Sequence, residues 1–139
     1  MNRLSKKILV IGSGFLGSNV ANKFTDVGNT VTKTNLTNVQ KGSHVLDITD
    51  SIAVKKCFSE IKPDIVINCA GSTDIDFLEK NPQSAYIVNG NGAKNLAVAT
   101  KKFNARLVHI STDGIFDGVR GGYKEDDKAK IKELLGKIK

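Results

Sequence analysis

The feature that most constrains the fold is a short glycine-rich motif between a hydrophobic strand and an amphipathic helix. The strand, Lys7–Ile11, is apolar after its first residue, as expected of a strand that is covered on both faces of a parallel sheet. The motif that follows reads Gly12-Ser13-Gly14-Phe15-Leu16-Gly17, and apolar residues then recur at helical spacing until Gly28. A buried strand that leads through such a turn into a helix is the start of a βαβ unit.

The same alternation of apolar runs and helical patterns continues along the chain and predicts a parallel sheet. Further strands are predicted at Thr30–Thr34, His44–Asp47, Asp64–Cys69 and Arg106–Ile110. Helices are predicted from Asp50 or Ser51 to Ile61 and from Pro82 to about Phe103, although Gly90 and Gly92 weaken the second. We therefore expect an α/β fold, a Rossmann-type doubly wound parallel sheet in a three-layer αβα arrangement. Residues 1–123 would form this domain, and residues 124–139 an amphipathic helix packed on it.

The glycine motif also indicates a ligand. In a GxGxxG turn the first glycine, Gly12, allows the tight turn, the second, Gly14, lets the backbone approach a pyrophosphate, and the third, Gly17, permits close packing of helix on strand. The N–H groups at the start of the helix, at Phe15 and Leu16, would bind the phosphates. The motif therefore predicts a dinucleotide site. A glycine turn that serves packing alone is the alternative.

The end of the second strand bears on which dinucleotide is bound. Enzymes that use NAD carry an acidic residue there, which binds the adenosine ribose. This chain has Lys33, Thr34 and Asn35 at that position and no acid nearby. Because a carboxylate would repel a 2′-phosphate that Lys33 could accept, the sequence favours NADP over NAD. Lys33 is also compatible with a role as an exposed lysine at the end of a strand.

Composition and charge exclude several classes of function. The net charge is +7 over 139 residues, but the basic residues are scattered and form no stripe interleaved with aromatic residues, so we expect no nucleic-acid partner. No apolar run approaches the ~20 residues that a membrane helix needs, and no signal peptide is recognised, so we expect a cytoplasmic protein without a membrane partner. The two cysteines, Cys57 and Cys69, are not spaced as metal ligands or as a redox pair. We expect reduced thiols and no metal.

Three blocks of sequence carry a family resemblance. Residues 45–50 read Val-Leu-Asp-Ile-Thr-Asp, residues 63–71 read Pro-Asp-Ile-Val-Ile-Asn-Cys-Ala-Gly, and residues 107–118 run from Leu107 to Gly118 through a Ser-Thr-Asp group. Together they resemble the extended short-chain dehydrogenase/reductases, and among these the dTDP-4-dehydrorhamnose reductases. The resemblance covers about residues 7–127. It implies NADPH-dependent 4-keto reduction of a nucleotide-linked deoxysugar.

The resemblance also implies roles for individual residues around the dinucleotide. Asp47 and Ile48 would contact the adenine, Asp47 through its exocyclic amine. Ala70 and Gly71 would lie beside the nicotinamide ribose. Three further roles are implied: Asn89 would brace the long helix beneath the site, Ser111 would lie at the end of the fifth strand, and Thr112 would polarise the substrate carbonyl. From the residues alone, Asp47 is equally compatible with a loop cap, and His109 is interpreted as a strand residue rather than a base.

The sequence departs from the family pattern at the catalytic dyad. In Tyr-x-x-x-Lys the lysine lowers the pKa of the tyrosine that protonates the carbonyl, but here Tyr86 is followed four residues later by Gly90, and Tyr123 by Asp127. The glycine loop is also one residue shorter than the family form, and Gly114 replaces a common aromatic residue. From the resemblance we expect a domain that lacks the family's C-terminal substrate domain.

The function therefore has several candidates at this stage, and whether the chain is an enzyme stays open. The first is a dinucleotide-binding relative of the reductases with little or no turnover alone. The second is a non-catalytic or regulatory subunit, and the third is one half of a split reductase. A second copy or a partner chain would then pair at the edge of the fifth strand, because an uncovered edge invites association.

Overall fold

The computed structural model describes residues 5–37, 42–112 and 116–128, and within them the chain alternates strands and helices. In order these are β1 (Lys7–Ile11), α1 (Phe15–Asp26), β2 (Thr30–Asn35), β3 (Ser43–Val45), α2 (Ser51–Ile61), β4 (Ile65–Asn68), α3 (Ile75–Lys80), α4 (Pro82–Ala85), a π-helical segment (Tyr86–Gly92), α5 (Ala93–Lys102) and β5 (Arg106–His109).

The strands form one parallel sheet with β1 at its centre. The order is β3-β2-β1-β4-β5, so the chain moves outward from β1 to one side and then crosses back to the other. Ile11 pairs with Thr34 of β2 and with Asn68 of β4. The carboxyl ends of the three inner strands therefore meet at one edge of the sheet, and a crevice opens where the strand order reverses.

The two faces of the sheet bury different apolar side chains. On one face Ile8, Val10 and Ile67 pack with Ala21 of α1. On the other face Leu9, Ile11 and Val66 pack with side chains of α2 and α5 in a larger cluster that contains Val54, Phe58 and Leu96. β1 is buried on both sides because both faces carry helices. The predicted Rossmann-type, three-layer αβα fold is confirmed.

The structure corrects the prediction for residues 75–103. No helix was predicted between β4 and residue 82, but α3 forms there, with the side chain of Asp74 accepting the backbone N–H of Phe77 at 3.0 Å. The predicted long helix is not continuous α-helix, because its middle widens into the π-helical segment. Gly92 belongs to this segment, and a Cβ at Gly92 would lie 2.6 Å from Cδ1 of Ile48. A side chain at this position would therefore require the end of the Ile48 side chain to move.

The carboxyl-terminal helix predicted for residues 124–139 falls largely outside the described residues, which end at 128. Residues 124–128 form a turn, in which the N–H of Asp127 donates to the carbonyl of Lys124 at 3.1 Å. Gly114 also lies outside the described residues. Within the described part of the chain, no helix is both long and apolar enough to cross a membrane.

The amino terminus of α2 is held by Asp50, and this cap generates a prediction about stability. Its side chain accepts the backbone N–H groups of Ile52 at 2.8 Å and Ala53 at 3.1 Å. We expect Asp50→Ala to lower the free energy of unfolding by about 1 kcal/mol, because both donors lose their acceptor. Urea denaturation followed by circular dichroism measures this change. Asp50→Asn keeps the acceptor and should stay close to the wild type; an equal loss in both variants would contradict the capping role.

Candidate functional site

A groove opens at the carboxyl ends of β1, β2 and β4, where the sheet topology predicts a ligand site. Its volume is about 770 Å³, which lies in the range of ligand pockets. The turn after β1, the end of β2 and the segment after β4 supply most of its wall. The lining residues are Ile11, Gly12, Ser13, Gly14, Phe15, Ser18, Asn19, Asn35, Leu36, Thr37, Leu46, Ile48, Cys69, Ala70, Gly71, Ser72 and Val88.

Two glycines of the motif are required by packing. Gly12 has a positive φ of +83°, and a Cβ there would lie 2.8 Å from the backbone of Ala70. A Cβ at Gly17 would lie 1.9 Å from the carbonyl oxygen of Gly12, far inside van der Waals contact. These positions bring the start of α1 directly against the turn that leaves β1, and any side chain at either position would separate them.

The second glycine of the motif, Gly14, has no such packing reason. A Cβ at Gly14 would meet no atom within 4 Å, and its φ of −68° is accessible to any residue. Gly14 is also the N-cap of α1, and no side chain caps this helix. The start of α1 therefore presents backbone N–H groups and the positive end of the helix dipole to a groove that has open space beside Gly14. This is the arrangement of an anion site.

The end of β2 contributes neutral polar groups to the groove. Asn35 lines it, and its Nδ2 donates to the carbonyl of Thr37 at 3.1 Å. Lys33 is half-buried on β2 in register with Val10, on the face of the sheet that α1 covers. It does not belong to the groove lining. Asn35, rather than Lys33, is thus the side chain that the end of β2 presents to the groove, where NAD enzymes carry an acid. In the sequence, Lys33 was given more weight because of its charge.

The residues after β3 give the groove an apolar floor. Leu46 and Ile48 are buried at 5% and 6% exposure and line the groove. Asp47 between them is half-buried, and its Oδ1 accepts the backbone N–H of Thr49 at 2.8 Å and the Thr49 hydroxyl at 2.7 Å. One carboxylate oxygen of Asp47 therefore holds the loop.

The segment after β4 forms the opposite wall and is fixed by Asn89. The side chain of Asn89 is 3% exposed. Its Oδ1 accepts the N–H of Ser72 at 2.8 Å, and its Nδ2 donates to the Ser72 carbonyl at 2.9 Å. This pair of hydrogen bonds ties the π-helical segment to the wall that contains Ala70 and Gly71. Ser72 was not predicted from the sequence, since a backbone contact leaves no signal in residue type.

Asn68 joins this wall to β5. Its Oδ1 accepts the backbone N–H of Ala70 at 3.0 Å, and its Nδ2 lies 2.9 Å from Nδ1 of His109. Because a backbone N–H is always a donor, the amide of Asn68 is oriented with Nδ2 toward the imidazole, and Nδ1 of His109 must accept. The neutral ring then carries its proton on Nε2. His109 is a strand residue, as the sequence predicts.

Cys69 is half-buried in the groove wall, whereas Cys57 lies in α2 beside the core. Burial raises the pKa of the Cys69 thiol. Burial, with a smaller contribution from the nearby Glu60 carboxylate, raises the pKa of Cys57 to about 11. Both thiols are therefore protonated and weakly nucleophilic near neutral pH.

Thr112, predicted for the chemistry, and Ser111, predicted for the cofactor, lie apart from the groove lining. Ser111 is exposed and Thr112 is half-buried, and both follow β5. Tyr123 makes two contacts within the chain. Its hydroxyl donates to the Asp117 carboxylate, and its ring stacks on Phe116 with centroids 4.4 Å apart. Asp127 pairs with Arg120. Of the residues predicted for the dinucleotide, the groove lining contains Gly12, Gly14, Phe15, Ile48, Ala70 and Gly71 but not Leu16, Gly17, Lys33, Asp47, Asn89 or Ser111.

Comparison with known proteins agrees with this geometry. A family model described as the RmlD substrate binding domain matches residues 6–139. The chain belongs to this family. The resemblance to the dTDP-4-dehydrorhamnose reductases is confirmed by a solved structure of that enzyme from Bacillus anthracis in complex with NADP, which matches with a TM-score of 0.89 at 31% identity over 99% of this chain and 48% of that one.

Two curated relatives show the range of proteins to which this chain is similar. The spore coat polysaccharide biosynthesis protein SpsK of Bacillus subtilis is 35% identical over 96% of this chain and 45% of that protein. Methionine adenosyltransferase 2 subunit beta of Xenopus laevis is 30% identical over 97% of this chain and 41% of that protein. The RmlD-family chain described here thus spans less than half the length of each of these relatives.

The different environments of Gly17 and Gly14 generate a prediction. We expect Gly17→Ala to lower the free energy of unfolding by about 3 kcal/mol, because the new methyl group forces α1 away from Gly12. Gly14→Ala is the matched control and should change it by less than about 1 kcal/mol, since its methyl group enters open space. Thermal and urea unfolding measure both. Equal destabilisation by the two substitutions would show that the contact at Gly17 does not fix the helix.

Proposed function

We propose that this RmlD-family domain binds NADP(H) in the groove, and NAD(H) more weakly. Gly14 is the observation that carries the proposal. Its lack of a side chain is not explained by packing, and it stands at the uncapped start of α1 beside open space. A pyrophosphate placed there would accept the N–H groups of Phe15 and Leu16 and would lie against a glycine that lets it approach.

The proposal assigns the adenosine half to the apolar floor and the end of β2. The adenine would lie on Leu46 and Ile48, with its exocyclic amine donating to Asp47, whose Oδ1 is already held by Thr49. The ribose 2′-phosphate would face the neutral amide of Asn35, with Lys33 two residues earlier on the same face of the sheet. A neutral amide accommodates a phosphate that a carboxylate would repel.

The nicotinamide half would follow the wall formed by Ala70 and Gly71 toward Ser111 and Thr112. A bound NADPH would supply a hydride for 4-keto reduction of a nucleotide-linked deoxysugar. In that reaction Thr112 would polarise the carbonyl. No tyrosine of this sequence is followed by lysine four residues later, and the Tyr123 hydroxyl is engaged by Asp117. We therefore expect binding of the dinucleotide without measurable reduction by this chain alone.

A second candidate function is that of a dinucleotide-binding subunit or half-enzyme that works with a second chain. Two observations favour it. The relationship to a protein named as a subunit extends over 97% of this chain. In addition, β5 is an edge strand of the described sheet; Val108 within it is 43% exposed, and Ile110 directly after it is 37% exposed. A homodimer, or a complex with a chain that supplies a proton donor, would cover these residues; sedimentation of the purified protein distinguishes either from a monomer.

Titration with NADPH and NADH tests the cofactor preference. We expect saturable binding that is tighter for NADPH. Asn35→Asp should reverse the preference by about tenfold or more, because its carboxylate accepts the ribose hydroxyls of NADH and repels the 2′-phosphate. Nicotinamide fluorescence measures both affinities.

Lys33→Gln is the companion variant, since it removes a positive charge without adding a negative one. A weaker affinity for NADPH alone would assign Lys33 to the 2′-phosphate, whereas unchanged affinities would assign the preference to Asn35. Binding of neither dinucleotide by the wild type at millimolar concentration would contradict the proposed function.

The two cysteines give an internal test of where the ligand lies. Saturating NADPH should slow the alkylation of Cys69 by iodoacetamide about tenfold at pH 8 and leave Cys57 unchanged, because Cys69 lines the groove and Cys57 does not. Peptide mass spectrometry at timed intervals measures each rate. Equal protection of both thiols would indicate a general stabilisation of the fold, and protection of neither would place the dinucleotide outside the groove.

A further inference from the structure

Ser13, between the first two glycines of the motif, has an unusual environment for a buried serine. Its side chain is 4% exposed, and within the described part of the chain its Oγ has no hydrogen-bond partner. A buried hydroxyl without a partner is unfavourable, and alanine would fill the same space without that penalty. A hydrogen-bond partner from outside the described residues would remove this penalty.

The backbone of Ser13 is fixed on both sides. Its N–H donates to the Thr34 carbonyl at 3.1 Å, and its own carbonyl accepts the hydroxyl of Ser18 at 2.8 Å. The position of the Ser13 backbone is thus set by the fold, and rotation about χ1 is the freedom that remains to the hydroxyl. Ser13 also lines the groove, and its Oγ is itself buried, so the hydroxyl reaches a ligand in the groove by rotation about χ1.

The surroundings select the chemical class of the partner. The uncapped start of α1 directs N–H groups and the positive end of a helix dipole at the same region. An anionic oxygen is favoured there, and a hydroxyl donates well to such an oxygen.

We infer that the Ser13 hydroxyl turns into the groove and donates a hydrogen bond to a phosphate oxygen of the bound ligand, as a side-chain addition to the backbone N–H groups of the loop. This inference rests on the proposed function for the identity of the ligand as a dinucleotide. It makes Ser13 a determinant of affinity at the pyrophosphate.

Thr34 offers a matched control. It is fully buried, and its Oγ1 likewise lacks a partner within the described residues. It differs in position, since it lies within β2 in register with Ile11 and does not line the groove. Thr34→Val and Ser13→Ala each remove one buried hydroxyl with little change of shape, but only the second removes one beside the ligand.

The experiment compares the affinities of the wild-type chain, Ser13→Ala and Thr34→Val for NADPH by titration, with thermal melting as a check on folding. We expect Ser13→Ala to raise the Kd for NADPH about tenfold, as for loss of one hydrogen bond to a charged group, and Thr34→Val to change it less than about twofold. The melting temperatures of both variants should not fall. An unchanged Kd in Ser13→Ala, or an equal rise in both variants, would overturn the inference.

Inorganic pyrophosphate separates a failure of this inference from a failure of the proposed function. If the wild type binds pyrophosphate but neither dinucleotide, the proposed function fails, and weaker pyrophosphate binding by Ser13→Ala would still support the role of the hydroxyl. If the wild type binds neither pyrophosphate nor a dinucleotide, both are overturned.

Discussion

The contact between Gly17 and the carbonyl of Gly12 determines the geometry of the groove. A side chain at Gly17 would begin 1.9 Å from that carbonyl oxygen, so the helix and the turn meet backbone to backbone. Because β1 is the central strand and is buried on both faces, its end cannot move to relieve a clash. The contact therefore fixes where α1 starts and where its first N–H groups point. Because the start of α1 is fixed, the open space at Gly14 always lies beside the first N–H groups of the helix.

The parts of the fold that could be predicted from the sequence are those with local causes. β1 and β4 are apolar runs, as expected of strands in a parallel sheet that is covered on both faces. α2 begins after Asp50, whose side chain accepts backbone N–H groups of the first turn of that helix. The glycine motif was interpreted correctly as a close contact of helix and strand, because Gly12 and Gly17 have no other residue type that fits. Each of these signals lies within a few residues of the element that it specifies.

The parts that could not be predicted depend on contacts between residues distant in the sequence. The π-helical segment forms where Gly92 packs on Ile48 and where Asn89 bonds to the backbone of Ser72, and neither contact has a local pattern. The resemblance drew attention to Asn89, but only the structure shows that it holds Ser72. At the end of β2 the charge of Lys33 was the visible signal, while the register of the strands places Asn35 in the groove.

The number of residues in the π-helical segment also determines whether Asn89 faces the groove wall. One residue corresponds to about 100° of rotation about a helix axis. A lineage that lost Gly90 or Asn91 would keep the packing of α5 on the sheet, but Asn89, which precedes the deletion, would turn away from Ser72. The groove wall would then lose both of its hydrogen bonds without any change in a lining residue. Single-residue insertions and deletions, usually tolerated on surfaces, are therefore expected to be excluded here.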